Sequence, residues 1–243
     1  AGTAYSVRHV LLNAADYGVP QVRERVFFVA IRRDCDSGWM PPKATHSEAA
    51  LRLSQQVSGE YWRRHGLTRK IHPSHPRCGR WMREAGRTEP WLTVRDALVD
   101  LPEPAAREAH VGWLNHVGQP GARSYPGHTG SPLDWPAKTL KAGVHGVPGG
   151  ENMLRRPNGT VRYFTVREAA RLQSFPDSYF FSGAWTEALR QIGNAVPVRL
   201  AEVVARSVAD CLVRAAAAPQ QRQPLSRPSA LQVEIPELLI ASV

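Results

Sequence analysis

The chain has 243 residues, 42 % of them hydrophobic, with three cysteines, a formal net charge of +10 and a pI near 10.1. That length suits one large domain or two small ones, and the charge points to a polyanionic partner, most simply nucleic acid. Three sparse cysteines argue against a disulfide framework and for a reducing cytoplasm, and no apolar run approaches the roughly 20 residues of a membrane span.

The first predicted elements are two strands, Tyr5 to Leu12 and Val26 to Arg32. Both are nearly continuous in apolar residues, the pattern of strands buried on both faces. Asn13, Asp16, Gly18 and Pro20 mark the loop between them. Arg23 and Arg25 stand two apart where the second strand begins, so their guanidinium groups are expected to leave the strand side by side.

From Asp34 to about Arg162 periodicity fades and Pro, Gly, His, Arg and Trp become frequent, which reads as a loop-rich insert. Leu92 to Pro102 suggests a short helix, with Thr93 as its N-cap and Asp96 three residues on. Ala137 to Gly150, "AKTLKAGVHGVPGG", suggests a strand entering a glycine-rich loop. A basic run, Arg63, Arg64, Arg69, Lys70, Arg77, Arg80, Arg83 and Arg87, is interleaved with Tyr61, Trp62 and Trp81, and some of it is expected on phosphates. His72, His75 and Cys78 fall at three-residue steps, which would make most of a zinc site with Cys35, His46 or His65 as fourth ligand. Two prolines in the run and the missing Cys-x-x-Cys partner count against it.

Order returns after Arg162. Thr165 and Glu168 form a capping box that starts a helix at Val166, with Pro176 ending it. Thr186 is expected to cap a helix that stops at Gly193, and Pro197 to open a longer one. Leu200, Val203, Val204, Val208, Cys211 and Leu212 give that helix one apolar face. Beyond Ala218 a polar, proline-containing linker precedes an apolar tail.

Three stretches, in order, resemble the C-terminal half of the cytosine-5 DNA methyltransferases. "PQVRER" (Pro20 to Arg25) matches a Gln-x-Arg-x-Arg motif, "REAARLQSFPD" (Arg167 to Asp177) matches Arg-Glu-x-x-Arg-Leu-Gln-x-Phe-Pro-Asp, and "QIGNAVP" (Gln191 to Pro197) matches the last block. The resemblance implies an α/β fold: the C-terminal part of a Rossmann-like methyltransferase core with an inserted, loop-rich target-recognition domain. On this reading residues 1–34 are the last core strands, 35–162 the recognition domain, 163–215 the closing helices, and 216–243 linker and tail.

Site roles follow from the resemblance, residue by residue. Arg25 is expected to donate to the carbonyl oxygen of a flipped cytosine, with Arg23 supporting it. A fixed guanidinium suits that task, since it can read the base and stabilise negative charge developing in the ring. Asn194, Ala195 and Val196 are expected to close one side of an S-adenosylmethionine pocket, with exposed backbone donors in the turn after Gly193. Lys138, Thr139, Lys141 and His145 are the candidates for base readout. The Arg167–Asp177 helix is expected to brace the recognition domain against the core.

The nucleophile of such a reaction is a cysteine in a Pro-Cys pair, and none of Cys35, Cys78 or Cys211 follows a proline. A Glu-Asn-Val motif and the glycine-rich cofactor loop are also missing; Glu151-Asn152 comes after the Gln-x-Arg-x-Arg block, where the family has its glutamate before it. The expected partners are therefore double-stranded DNA with one flipped cytosine and an N-terminal half of the enzyme, in cis or as a separate subunit. The missing first methionine favours a fragment. The alternatives are a subunit of a split enzyme, a non-catalytic DNA-binding module, and a decayed gene product. With no neighbours to pair with, the two core strands are expected to leave apolar surface exposed.

Overall fold

The computed structural model describes residues 4–105, 112–142 and 150–217. The fold is mixed α/β, with helices packed around short strand pairings. Strands β1 (Tyr5–Asn13) and β2 (Glu24–Arg32) form an antiparallel hairpin in which Leu12 faces Arg25 and Val10 faces Phe27. The loop between them is closed locally. The Asn13 carboxamide accepts from Ala15 N and Arg23 N at 3.2 Å each, and Gly18 turns the chain at φ +76°.

The hairpin is not buried on both faces. Its burial alternates, and Val7, Leu11, Val26 and Phe28 lie exposed on one side, Phe28 at 70 %. The apolar run is continuous because both faces are apolar, while the described residues cover only one of them. The covered face lies under α7 (Val198–Ala217). Leu200 and Val204 pack on Leu12, Tyr17 and Val19, while Cys211 packs on Ile31 and Trp39. Burying a leucine such as Leu200 contributes about 1.5–3 kcal/mol. The expected apolar face of this helix is therefore present, except that Leu212 points outward.

The insert is more regular than its composition suggests. It contains β3 (His46–Ser47), α1 (Glu48–Gln56), α2 (Glu60–Arg64), α3 (Cys78–Ala85), β4 (Glu89–Pro90) and α4 (Val94–Leu98). β3 and β4 pair in parallel. Leu51 of α1 and Tyr61 of α2 are fully buried with Ala15 and Trp91, which roots this unit on the hairpin loop. α4 has the expected capping box, Thr93 with Asp96, and ends at Leu98 rather than near Pro102.

β5 (Ser131–Pro132), β6 (Met153–Arg155) and β7 (Val161–Tyr163) form a small sheet in which β5 and β6 run parallel. Residues 137–142 form no strand; Ala137 makes a single bridge to Gln21. α5 (Val166–Leu172) starts at Val166 with the Thr165–Glu168 box complete. It stops at Gln173, before Ser174 takes φ +57°, so the left-handed turn ends it ahead of Pro176. α6 (Trp185–Asn194) is capped by Ala184 without a side-chain bond, so Thr186 is inside the helix, and Asn194 rather than Gly193 is its last residue. Phe164, Leu172, Leu189 and Ile192 close the main core with Val94, Leu140 and Leu154. Among the described residues no helix is long and apolar enough to cross a membrane. The linker and apolar tail lie outside the described residues.

Candidate functional site

The two arginines at the start of β2 separate in role although they share a face. Arg23 is 1 % exposed. Its guanidinium donates to the carbonyls of Leu140 (3.1 Å) and Ala195 (3.1 Å) and to that of Gly193. Burial, and then the nearby charge of Arg25, push its pKa down to about 10, so it stays protonated at neutral pH. Burying a guanidinium is costly unless its donors are met; three carbonyls from two distant segments meet its two terminal nitrogens, while Nε has no partner among the described residues. Arg25 is partly exposed and donates at 2.6 Å to the carbonyl of Glu24 beside it. Sequence reasoning expects a side-by-side pair; only Arg25 is open to a ligand, because Arg23 is spent on the framework.

Two glutamines that carry no expected role complete that framework. Gln21 is fully buried; its carbonyl accepts from Leu140 N at 3.3 Å and its amide donates to Leu172 O at 3.4 Å. The Gln173 side-chain amide donates to Ile192 O at 2.8 Å, and its main-chain carbonyl accepts from Val198 N. Each is the glutamine of one of the matched motifs, which was the available signal. Together they tie the three motifs to one another through the backbone.

Segment 137–142 is the common partner. Val22 N donates to Ala137 O, and Ala137 N to Pro20 O. The Thr139 hydroxyl donates to Val22 O at 2.8 Å, which ties this segment to the hairpin. The Lys138 ammonium donates to the Thr129 hydroxyl at 3.2 Å. The Lys141 ammonium lies 3.2 Å from Glu151 and is half exposed. His145 lies outside the described residues.

The turn after α6 also differs from expectation. Its backbone donors are largely taken: Ala195 N bonds back to Gln191 and Ile192, Val198 N goes to Gln173 O, and Arg199 N to the Ser174 hydroxyl. What faces solvent is the Asn194 and Val196 side chains, while Ala195 is partly buried. α5 braces this assembly. Fully buried Arg167 donates to the carbonyls of Leu114, Pro176 and Tyr179, and Arg171 binds Asp177 through two bonds of 2.9 and 2.6 Å.

The sequence has counterparts among known proteins. A family model for C-5 cytosine-specific DNA methylases matches residues 1–210. The chain belongs to the C-5 cytosine-specific DNA methylase family. Among its relatives are the type II methyltransferase M.BspRI of Lysinibacillus sphaericus, 30 % identical over 84 % of this chain and 43 % of that protein, and M.NgoFVII of Neisseria gonorrhoeae, 31 % identical over 84 % and 50 %. The S. pombe Dnmt2 methyltransferase structure aligns at 16 % identity with a TM-score of 0.49, over 87 % of this chain and 59 % of that one. This methylase chain thus spans about half the length of the curated relatives it matches.

In this member of the methylase family the remaining candidates have other employment. Cys211 is buried under the hairpin, and Cys35 sits 3.4 Å from an Arg32 nitrogen. His75 stacks on Trp81 at 4.5 Å, and His65 lies 3.0 Å from Asp96. Among the described residues no three His, Cys, Asp or Glu side chains gather around a metal position. In the basic run, Arg64 pairs with Asp96, Arg80 with Glu84, and Arg69 lies over the Trp62 ring.

Proposed function

We propose that this chain is the target-reading and closing part of an enzyme that methylates carbon-5 of cytosine in double-stranded DNA, with S-adenosylmethionine as donor. One observation carries the reading: Arg23 binds carbonyls of segment 137–142 and of the α6–α7 turn at once, so Arg25, two residues on, is held rigidly beside both. Residues 1–34 and 163–215 belong to the catalytic core on this reading, and 35–162 to target recognition.

Arg25 is the residue that meets a flipped cytosine, donating to its carbonyl oxygen and stabilising charge that develops in the ring. Arg23 is a positioning residue. Lys138, Thr139, Lys141 and His145 are the candidates on the DNA, and the Thr139 hydroxyl also ties their segment to Val22. S-adenosylmethionine, when bound, supplies an electrophilic methyl group. The solvent-facing carboxamide of Asn194 and the isopropyl group of Val196 suit one edge of its site, with Ala195 holding the turn. None of the three cysteines follows a proline, as the family's nucleophile does, which supports a nucleophile supplied from another segment or subunit. The same fact supports a second reading, a DNA-binding module without catalysis.

The test is transfer of a labelled methyl group to duplex DNA by the chain mixed with a polypeptide that carries the family's Pro-Cys segment. Transfer that requires both components, and that falls about 100-fold or more in R25A, is expected. DNA binding without transfer in any such mixture would favour the second reading.

A further inference from the structure

Lys141 combines a fixed backbone with a half-exposed head. Its neighbour Leu140 accepts from Arg23, its own N–H donates to the Asn152 carboxamide at 3.3 Å, and Ala142 abuts Gly193. The side chain beyond is 49 % exposed, and its ammonium rests 3.2 Å from Glu151 Oε1. Glu151 is only 16 % exposed, and its second oxygen lies 3.4 Å from His128 Nδ1. Burial pushes the carboxyl's pKa up, but a backbone hydrogen bond at Glu151 itself, then Lys141 and last His128, outweigh it and hold the pKa below its ordinary value, so the group is charged at neutral pH.

Resting on the DNA reading above, we infer that Glu151 is an electrostatic rest position for Lys141 that opposes sequence-independent DNA binding. A lysine gains affinity for DNA by neutralising a phosphate and releasing its counterion. A lysine already neutralised by a carboxylate gains less, and must first give up that contact. The lysine side of the pair is half exposed, and an ion pair open to solvent on one side is weakened by water and salt. A phosphate brought to Lys141 by a well-fitted target can therefore displace Glu151, whereas loose encounters are disfavoured. His128 remains beside the carboxylate after Lys141 leaves. Selectivity of this kind works against the wrong partner rather than for the right one.

The experiment compares wild type, E151Q, K141A and the double variant for affinity to a mixed-sequence duplex at one fixed salt concentration, by fluorescence anisotropy. Expected is about two- to five-fold tighter binding by E151Q, and no effect of E151Q in the K141A background. An equal gain in the K141A background would mean only the removal of a distant negative charge and would overturn the inference. Unchanged or weaker binding by E151Q would overturn it too. If no variant and no wild-type chain binds DNA, the DNA reading itself falls, and the inference with it.

Discussion

Gly193 and Ala142 meet without room for a methyl group. A Cβ placed on Gly193 would lie 2.8 Å from Ala142 N and 2.9 Å from its Cα. Both obstacles are backbone or next to it, so the turn after α6 and segment 137–142 are in direct contact. Gly193→Ala must push them apart and stretch the Arg23 bonds that span the same gap. The expected cost is about 1–3 kcal/mol, read as a lower urea midpoint.

The two arginines should separate in mutagenesis. Arg23→Lys keeps the charge, but a single ammonium cannot reach Leu140, Gly193 and Ala195 together. Carbonyls left unmet in the interior should cost about 2–3 kcal/mol. Arg25→Ala should leave the urea midpoint nearly unchanged, since its one bond is to the exposed neighbouring carbonyl. Equal losses in the two variants would contradict the division of roles drawn from the geometry.

The hairpin offers a second contrast, between its faces. Phe28 is 70 % exposed, whereas its neighbour Phe27 packs against the cluster of Leu200 and Val204. Phe28→Thr should shift stability by less than about 0.5 kcal/mol and reduce self-association in light scattering. Phe27→Ala should cost about 2 kcal/mol or more.

Asp36 governs an acid limb. Its Oδ1 accepts from the N–H groups of Gly38 (2.9 Å) and Trp39 (3.0 Å), and Oδ2 from Arg8 (2.8 Å). The Trp39 N–H first and Arg8 second hold its carboxyl well below the ordinary value of 3.8. A depressed carboxylate binds protons more readily in the unfolded chain, so its contribution is complete above that value and is lost as pH falls through the lower, folded one. Asp36→Asn should lower stability at neutral pH by about 1–2 kcal/mol and flatten the decline below pH 4. Denaturation midpoints from pH 7 to pH 2 would check both.

Local chemistry made part of this legible in advance. The boxes at Thr165–Glu168 and Thr93–Asp96 are written within four residues, and both helices start where those residues say. The covered stripe of α7 is written in its period. The fate of Arg23 is not, because its acceptors lie at 140, 193 and 195, and nothing near position 23 encodes them. The Thr139 bond is hidden for the same reason: a hydroxyl in a basic run gives no sign that Val22 O, 117 positions away, is its acceptor. Thr186 resembles a cap, but the chain enters α6 two residues earlier, so a good capping residue falls inside the helix.

The spacing of the Arg23 contacts has a consequence for biosynthesis. Its Gly193 acceptor lies 170 positions downstream. At synthesis rates of about 5–20 residues per second, that acceptor appears roughly 10–30 s after the arginine itself. Through that interval the guanidinium can remain in water, and the Arg25 strand stays unlocked from the turn. The Arg23 framework is therefore among the last parts of the nascent protein to set, and a ribosome stalled anywhere before Gly193 leaves a chain whose hairpin can form but whose lock onto the α6–α7 turn cannot.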